Sequence, residues 1–185
     1  MTSLLRFEGV ALRRGGRLLF ENLDLELQPG DALQVTGPNG SGKSSLLRLA
    51  AGLLQAERGT VERSPLALAD DNLALDRERT LRKALWQWLD HYPLDRALEI
   101  MGIEHLARVP VRLLSTGQAR KAALARVIGS DASVWLLDEP LNGLDADGAW
   151  RLETVIGSHI KRGGAVLAAS HQPLPGVWRR LELGT

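Results

Sequence analysis

Gly37-Pro38-Asn39-Gly40-Ser41-Gly42-Lys43-Ser44 has the spacing G-x-x-x-x-G-K-[ST], that of a phosphate-binding loop. Each residue type there has a physical task. Glycines let the backbone curl until successive N–H groups point at phosphate oxygens, through angles that a Cβ makes costly. Lys43 supplies a flexible point charge for the β- and γ-phosphates, and the Ser44 hydroxyl is a ligand for Mg²⁺. Upstream, Ala32-Leu33-Gln34-Val35-Thr36 reads as a short buried strand. Downstream, Ser45 to Ala51 is helix-forming and stops near Gly52, so the loop sits at a positive helix N-terminus. A chance glycine turn capping a helix is the plainer alternative, but a strand before and a helix after is the setting the motif requires.

Further along, Val134-Trp135-Leu136-Leu137-Asp138-Glu139-Pro140 is an apolar strand ending in two carboxylates. In doubly wound folds ligands lie at the carboxyl ends of parallel strands. Asp138 is therefore placed near Mg²⁺, directly or through a water. Glu139 is placed toward the γ-phosphate, where a carboxylate orients or deprotonates the attacking water. A third element, Leu114-Ser115-Thr116-Gly117-Gln118, precedes the basic, alanine-rich helix Gln118–Ile128. Ser115 suits an N-cap, which makes this a second anion site at a helix start.

The remaining sequence gives an outline. Leu4–Leu12 alternates as a strand, Gly15-Gly16 turns it, and Arg17–Phe20 with Leu23–Leu27 continues in strand character to a turn at Gln28–Asp31. Gly59–Arg63 and Leu66–Ala69 read as short strands. Thr80–Ile103 is mainly helical and broken at Pro93. Asp145–Lys161 is a helix and Gly164–Ala169 a strand. The order predicts an α/β fold with a helical lobe. With 185 residues, 44% of them hydrophobic and no long linker, the chain fits one domain spanning 1–185. A net charge of +1 gives no case for nucleic-acid binding. The absence of cysteine excludes disulfides, thiolate metal sites and cysteine catalysis, and fits a reducing compartment. The start of the chain lacks the apolar core of a signal peptide, and no apolar run reaches the roughly 18 residues of a membrane span.

The phosphate loop, then Leu-Ser-Thr-Gly-Gln, then Leu-Leu-Asp-Glu-Pro, then Leu144-Asp145, then His171 together closely resemble the ATP-binding-cassette ATPases. The resemblance runs from about Leu4 to His171. It implies a phosphate-loop NTPase with a RecA-like core, an N-terminal antiparallel β subdomain, and a helical subdomain at about 71–125 that includes the signature loop. It also implies ATP and Mg²⁺ as ligands and a head-to-tail dimer. Each ATP is then held by Gly37, Pro38, Asn39, Gly40, Ser41, Gly42, Lys43, Ser44 and Ser45 of one copy and by Ser115, Thr116, Gly117 and Gln118 of the other. Asn142-Gly143-Leu144-Asp145 would join the two sites. His171, after the apolar strand, resembles the switch histidine that meets the γ-phosphate and cooperates with Glu139. His91, His105 and His159 lack such context and read as surface or helix-cap residues.

Two departures stand out. The family usually carries a glutamine that senses Mg²⁺ after the strand at residues 66–69. Here Asp70-Asp71-Asn72 follows, so Asp71 or Asn72 offers the oxygen, or the segment is only a polar turn. The family also often stacks an aromatic on adenine near residues 13 and 14. Arg13 and Arg14 stand there, either stacking on the base or solvated, which points to loose base selectivity.

Within the family, the shortness of the chain and the string Ala169-Ser170-His171-Gln172-Pro173-Leu174 resemble the haem-exporter ATPases of cytochrome c maturation. Those imply a peripheral subunit on the cytoplasmic face of the inner membrane, bound to an integral membrane permease. In Thr80–Leu89, positions 81, 85, 88 and 89 share one helix face and Trp86 falls outside it. Trp86 with Arg82 and Lys83 is a dock for a partner helix, unless both tryptophans serve packing. Other cassette exporters are an alternative. So is a soluble cassette acting on DNA or ribosomes, although the chain has no coiled-coil insertion and no second cassette. A nucleotide-gated scaffold with little hydrolysis would make poor use of Lys43, Ser44, Asp138, Glu139 and His171.

Overall fold

A computed structural model describes residues 3–89 and 94–184. The expected break at Pro93, and His91, lie outside the described residues. The chain divides into two compact units. One comprises Met1–Leu68, Ala132–Pro140 and His159–Thr185, the other Ala69–Asp131 and Leu141–Ser158.

The first unit begins with β1 (Leu5–Arg14) and β2 (Arg17–Leu27), an antiparallel hairpin. β4 (Arg58–Arg63) pairs with the other edge of β1 to give the order β2-β1-β4. The pairing slips near Gly9, where φ is +55° and the amide donates to Asp24 Oδ1 at 2.7 Å. This bulge swaps the faces of the strand, so that Leu5 and Phe7, then Val10 and Leu12, all reach the core.

A second, five-stranded sheet runs β5 (Leu66–Ala69), β6 (Val134–Asp138), β7 (Ala165–Ala169), β3 (Ala32–Thr36) and β8 (Arg179–Glu182). The β6–β7, β7–β3 and β3–β8 pairs are parallel. β6 and β7 are buried along their whole length, which explains why Val-Trp-Leu-Leu and Ala-Val-Leu-Ala-Ala are unbroken apolar runs rather than alternating ones. α1 (Lys43–Ala50) packs Leu46, Leu47, Leu49 and Ala50 into the same core. Because β6, β7 and β3 are neighbours with a common direction, the chain leaves all three at one sheet edge. The phosphate loop, Glu139 and His171 all follow from that edge. β8 was not foreseen: Arg-Arg-Leu-Glu has the polar character of an edge strand and little periodicity to read.

The second unit is helical: α2 (Leu81–Trp86), α3 (Leu94–Ile100), α4 (Thr116–Gly129) and the part of α5 (Ala146–Lys161) up to Ser158. Within the stretch expected to be mostly helical from Thr80 to Ile103, the described residues form two short helices. α2 ends at Trp86, so Trp88 is not on its stripe. It is 43% exposed, with the Arg126 guanidinium 4.9 Å from its ring centre. Leu81, Leu85 and Leu89 are buried as the periodicity requires, and Trp86 is 71% exposed. The Gly129 backbone is closely approached by Leu89; a Cβ there would lie 2.7 Å from its Cδ2.

Candidate functional site

The phosphate loop takes the shape its glycines permit. Gly37, Gly40 and Gly42 all have positive φ, and Gly42 caps α1 without a side chain. The first N–H groups of α1 are thus left to a ligand rather than to a capping oxygen. Lys43 curls over the loop, its Nζ donating to the carbonyls of Gly37 at 2.8 Å and Pro38 at 3.1 Å. Ser41 Oγ is buried without a hydrogen-bond partner inside the loop. An ammonium held over a curl of amides, with an orphaned hydroxyl below, is the donor set that a polyphosphate fits.

Lys43, Ser44, Ser45, Asn39 and Glu139 line a cavity of about 490 Å³, closed on the other side by Arg14, Arg17 and Leu19 of the hairpin. Asp138 is buried at the last position of β6. Ser44 and Asp138 provide hydroxyl and carboxylate oxygens, the hard donors Mg²⁺ prefers.

Glu139 adopts φ of +46°, a left-handed conformation rare for a side chain of that length. Its own N–H donates to the Ala169 carbonyl at 2.8 Å, which ties the turn to the end of β7. The turn presents both carboxylate oxygens to His171: the His171 N–H donates to Oε1 at 3.3 Å and Nδ1 lies 2.9 Å from Oε2. Gln172 Nε2 lies 3.3 Å from His171 Nε2. Because a carboxylate only accepts, Nδ1 carries a proton directed at Glu139. The sequence suggested that the two residues cooperate; the structure shows the carboxylate held by two bonds from one residue.

His159 overturns an expectation. It is not a surface residue but 7% exposed, stacked on Trp135 with ring centres 3.9 Å apart and planes within 9°. Its Nε2 donates to the Ser133 carbonyl at 3.2 Å. Burial holds its pKa below the usual value, the Ser133 bond opposing in part.

Ser115, Thr116, Gly117 and Gln118 lie in the second unit. Ser115 caps α4 in a reciprocal box: its Oγ accepts from the Gln118 amide at 3.3 Å, and its own amide donates to Gln118 Oε1 at 2.9 Å. Gly117 lies so close to the 142–145 loop that a Cβ would stand 2.7 Å from the Gly143 carbonyl. Asp145 accepts from the Gly148 amide at 2.8 Å and pairs with Lys121 at 2.8 Å. The Lys121 bond, then the Gly148 bond, hold its carboxyl below the ordinary range.

At the departure from the usual glutamine, Asn72 is engaged locally, its Oδ1 accepting from the Ala74 amide at 3.3 Å. Asp71 is exposed and lines a cavity of about 230 Å³ with Asp70, Thr116 and Arg120. Asp70 is buried. Its carbonyl accepts from Arg120 Nη1 at 3.2 Å, and its charge partly offsets the burial that lowers the pKa of Arg126. This buried pair of arginines around Asp70 was not foreseen. Their place in an alanine-rich helix was the available signal.

Residues 20–142 match the ABC transporter family. The chain is 54% identical over 177 residues to the cytochrome c biogenesis ATP-binding export protein CcmA of Sphingopyxis alaskensis, covering 92% of this chain and 91% of that protein. It is 39% identical to the protein of the same name from Pseudomonas putida, covering all of this chain and 98% of that one. A solved structure of the ATP-binding subunit of an ABC transporter superposes with a TM-score of 0.83 at 20% identity, over 91% of this chain and 79% of the other. That last likeness concerns the fold.

Proposed function

The chain belongs to the ABC transporter family, among the cytochrome c biogenesis ATP-binding export proteins, and we propose that it drives a haem-delivering membrane transporter by hydrolysing ATP. The observation that carries this is the Glu139–His171 pair, held at 2.9 Å at the ends of adjacent strands, with Glu139 in the wall of the cavity that contains Lys43 and Ser44.

In this reading Gly37–Ser45 cradle the phosphates, and Lys43 leaves the loop carbonyls for the β- and γ-oxygens. Glu139, oriented by its two bonds to His171, takes the proton of the attacking water. His171 then meets the γ-phosphate. Ser44 and Asp138 would hold Mg²⁺, whose charge offsets that developing on the phosphates. Ser115, Thr116, Gly117 and Gln118 reach the ATP of a second copy. Closure is favoured because ATP is contacted from both copies, and hydrolysis removes that bridge. Residues 1–185 act as a single cassette with 71–125 as the helical subdomain. The partner is an integral membrane permease at the cytoplasmic face of the inner membrane. No helix among the described residues is long and apolar enough to cross a membrane. Trp86, with Arg82 and Lys83, supports a permease dock on α2.

Capture of the tagged Glu139→Gln chain with ATP from gently solubilised native membranes tests this. Recovery of a multi-span permease together with a haem-handling protein is expected. An unrelated permease would overturn the cargo, and the absence of any membrane protein would overturn the transport role.

A further inference from the structure

The nucleotide cavity has cations where a base would meet an aromatic. The hairpin side of its lining is Arg14, Gly15, Arg17 and Leu19. Of the hairpin's aromatics, Phe7 is buried in the core and Phe20 packs against it beside Gly42. Of the two arginines at the end of β1, Arg13 is engaged away from the cavity, its Nε 3.3 Å from Glu57 and its Nη1 3.2 Å from the Gly16 carbonyl. Arg14 turns inward, and its Nη1 lies 3.4 Å from Ser45 Oγ, in the first turn of α1. The hairpin is seated there: a Cβ on Gly42 would lie 3.2 Å from Leu19 Cβ, so strand and loop are in direct contact.

We propose that Arg14 is a specificity-determining residue that binds the phosphate next to the ribose, so that the site selects nucleotides by their phosphate chain and accepts purine and pyrimidine triphosphates alike. This rests on the nucleotide-binding reading above. A guanidinium at the first turn of α1 lies where the phosphate chain passes the loop, with Lys43 two residues back taking its far end. Its planar fork pairs with two phosphate oxygens, whereas stacking on a base would require it to leave Ser45. What remains for the base is Leu19 and the Arg17 stem, apolar surface that does not distinguish one ring from another.

Titration calorimetry of the full chain with ATP, GTP, CTP and inorganic tripolyphosphate, all with Mg²⁺, tests it. The three nucleotides should bind within about threefold of one another. Arg14→Gln should weaken all four ligands, tripolyphosphate included, by about tenfold, the effect of one charge-assisted bond. Arg14→Lys should recover part of that loss. Arg14→Tyr should weaken tripolyphosphate and open a gap between ATP and CTP. Tripolyphosphate binding unchanged in Arg14→Gln, or a wild-type preference for ATP over CTP beyond about tenfold, would overturn the proposal and leave the nucleotide site standing. Wild-type chain that binds no nucleotide, and so behaves like Lys43→Ala, would overturn the nucleotide reading itself and the proposal with it.

Discussion

At the scale of single residues, chemistry and strain coincide at Glu139. A left-handed φ on a glutamate costs on the order of 1–3 kcal/mol, and the fold tolerates it where the turn aims the carboxylate at His171. Glu139→Gln keeps shape and volume and removes the proposed base. ATP affinity should stay within about threefold, while phosphate release in a single-turnover assay should fall by 10² to 10⁴, roughly the contribution of a positioned base. Turnover within tenfold of wild type would give the base role to another group. Gly37 is constrained differently: φ is +137°, and a Cβ would collide with the Leu183 carbonyl at the end of β8. Gly37→Ala should therefore lower the melting temperature and weaken ATP binding together, because the loop cannot move off β8 without losing its curl. A variant that melts as wild type does would show that the loop yields. The loop and the carboxylates were legible because spacing alone carries their chemistry. The Leu183 contact was not, since it depends on a polar edge strand without periodicity.

Among the elements, the buried histidine and the buried arginines are where reading residues one at a time fell short. Leu152, Val155, Ile156 and His159 stand at i, i+3, i+4 and i+7 on α5, and all four are buried. That period marked His159 as a core position, but the lack of a motif around it led to a surface or helix-cap reading. Among the described residues, the first helix of the Thr80–Ile103 stretch stops early, because helix propensity continues through Gln87 and Trp88, where the structure turns. His159 gives the fold a pH dependence. Its pKa is lowered in the folded chain, so between that value and about 6.5 the unfolded chain binds a proton that the folded one refuses. Its share of stability is complete above pH 6.5 and is lost as the pH falls below it. His159→Phe keeps the stack on Trp135 and abolishes the proton. The difference in melting temperature between pH 7.5 and pH 5.5 should be smaller in that variant than in wild type; an equal difference would assign the acid sensitivity elsewhere. Asp70→Asn acts on charge instead. It keeps the backbone carbonyl that Arg120 uses but removes the charge that offsets the burial of Arg126, and stripping a buried charge of its partner costs about 3–5 kcal/mol. Urea unfolding should show that loss at an unchanged slope. A loss below about 1 kcal/mol would mean that other groups already neutralise the pair.

On the scale of the whole molecule, each of the two compact units carries one part of what the proposed mechanism needs. The unit containing β3, β6 and β7 holds the phosphate loop, Glu139 and His171; the helical unit holds the signature residues. In the helical unit the signature and the 142–145 loop are built as one block. Ser115 and Gln118 cap each other across the start of α4, Gly117 lies against Gly143, and Asp145 pairs with Lys121 one turn into the same helix. The proposed head-to-tail pairing needs that block at its own position, so a change that disturbs it should break dimerisation and leave nucleotide binding by the single chain intact. Gly117→Ala is the sharpest such change, since its Cβ would lie 2.7 Å from the Gly143 carbonyl and must push the loop away. Sedimentation of the Glu139→Gln chain with Mg²⁺ and ATP should show a dimer that disappears with ADP. The double variant Glu139→Gln, Gly117→Ala should stay monomeric with ATP while retaining calorimetric ATP affinity within about threefold. Dimers in the double variant would remove the signature from the ATP-bridged interface. Loss of ATP binding in that variant would mean that the signature supports the site of its own chain rather than that of a second copy.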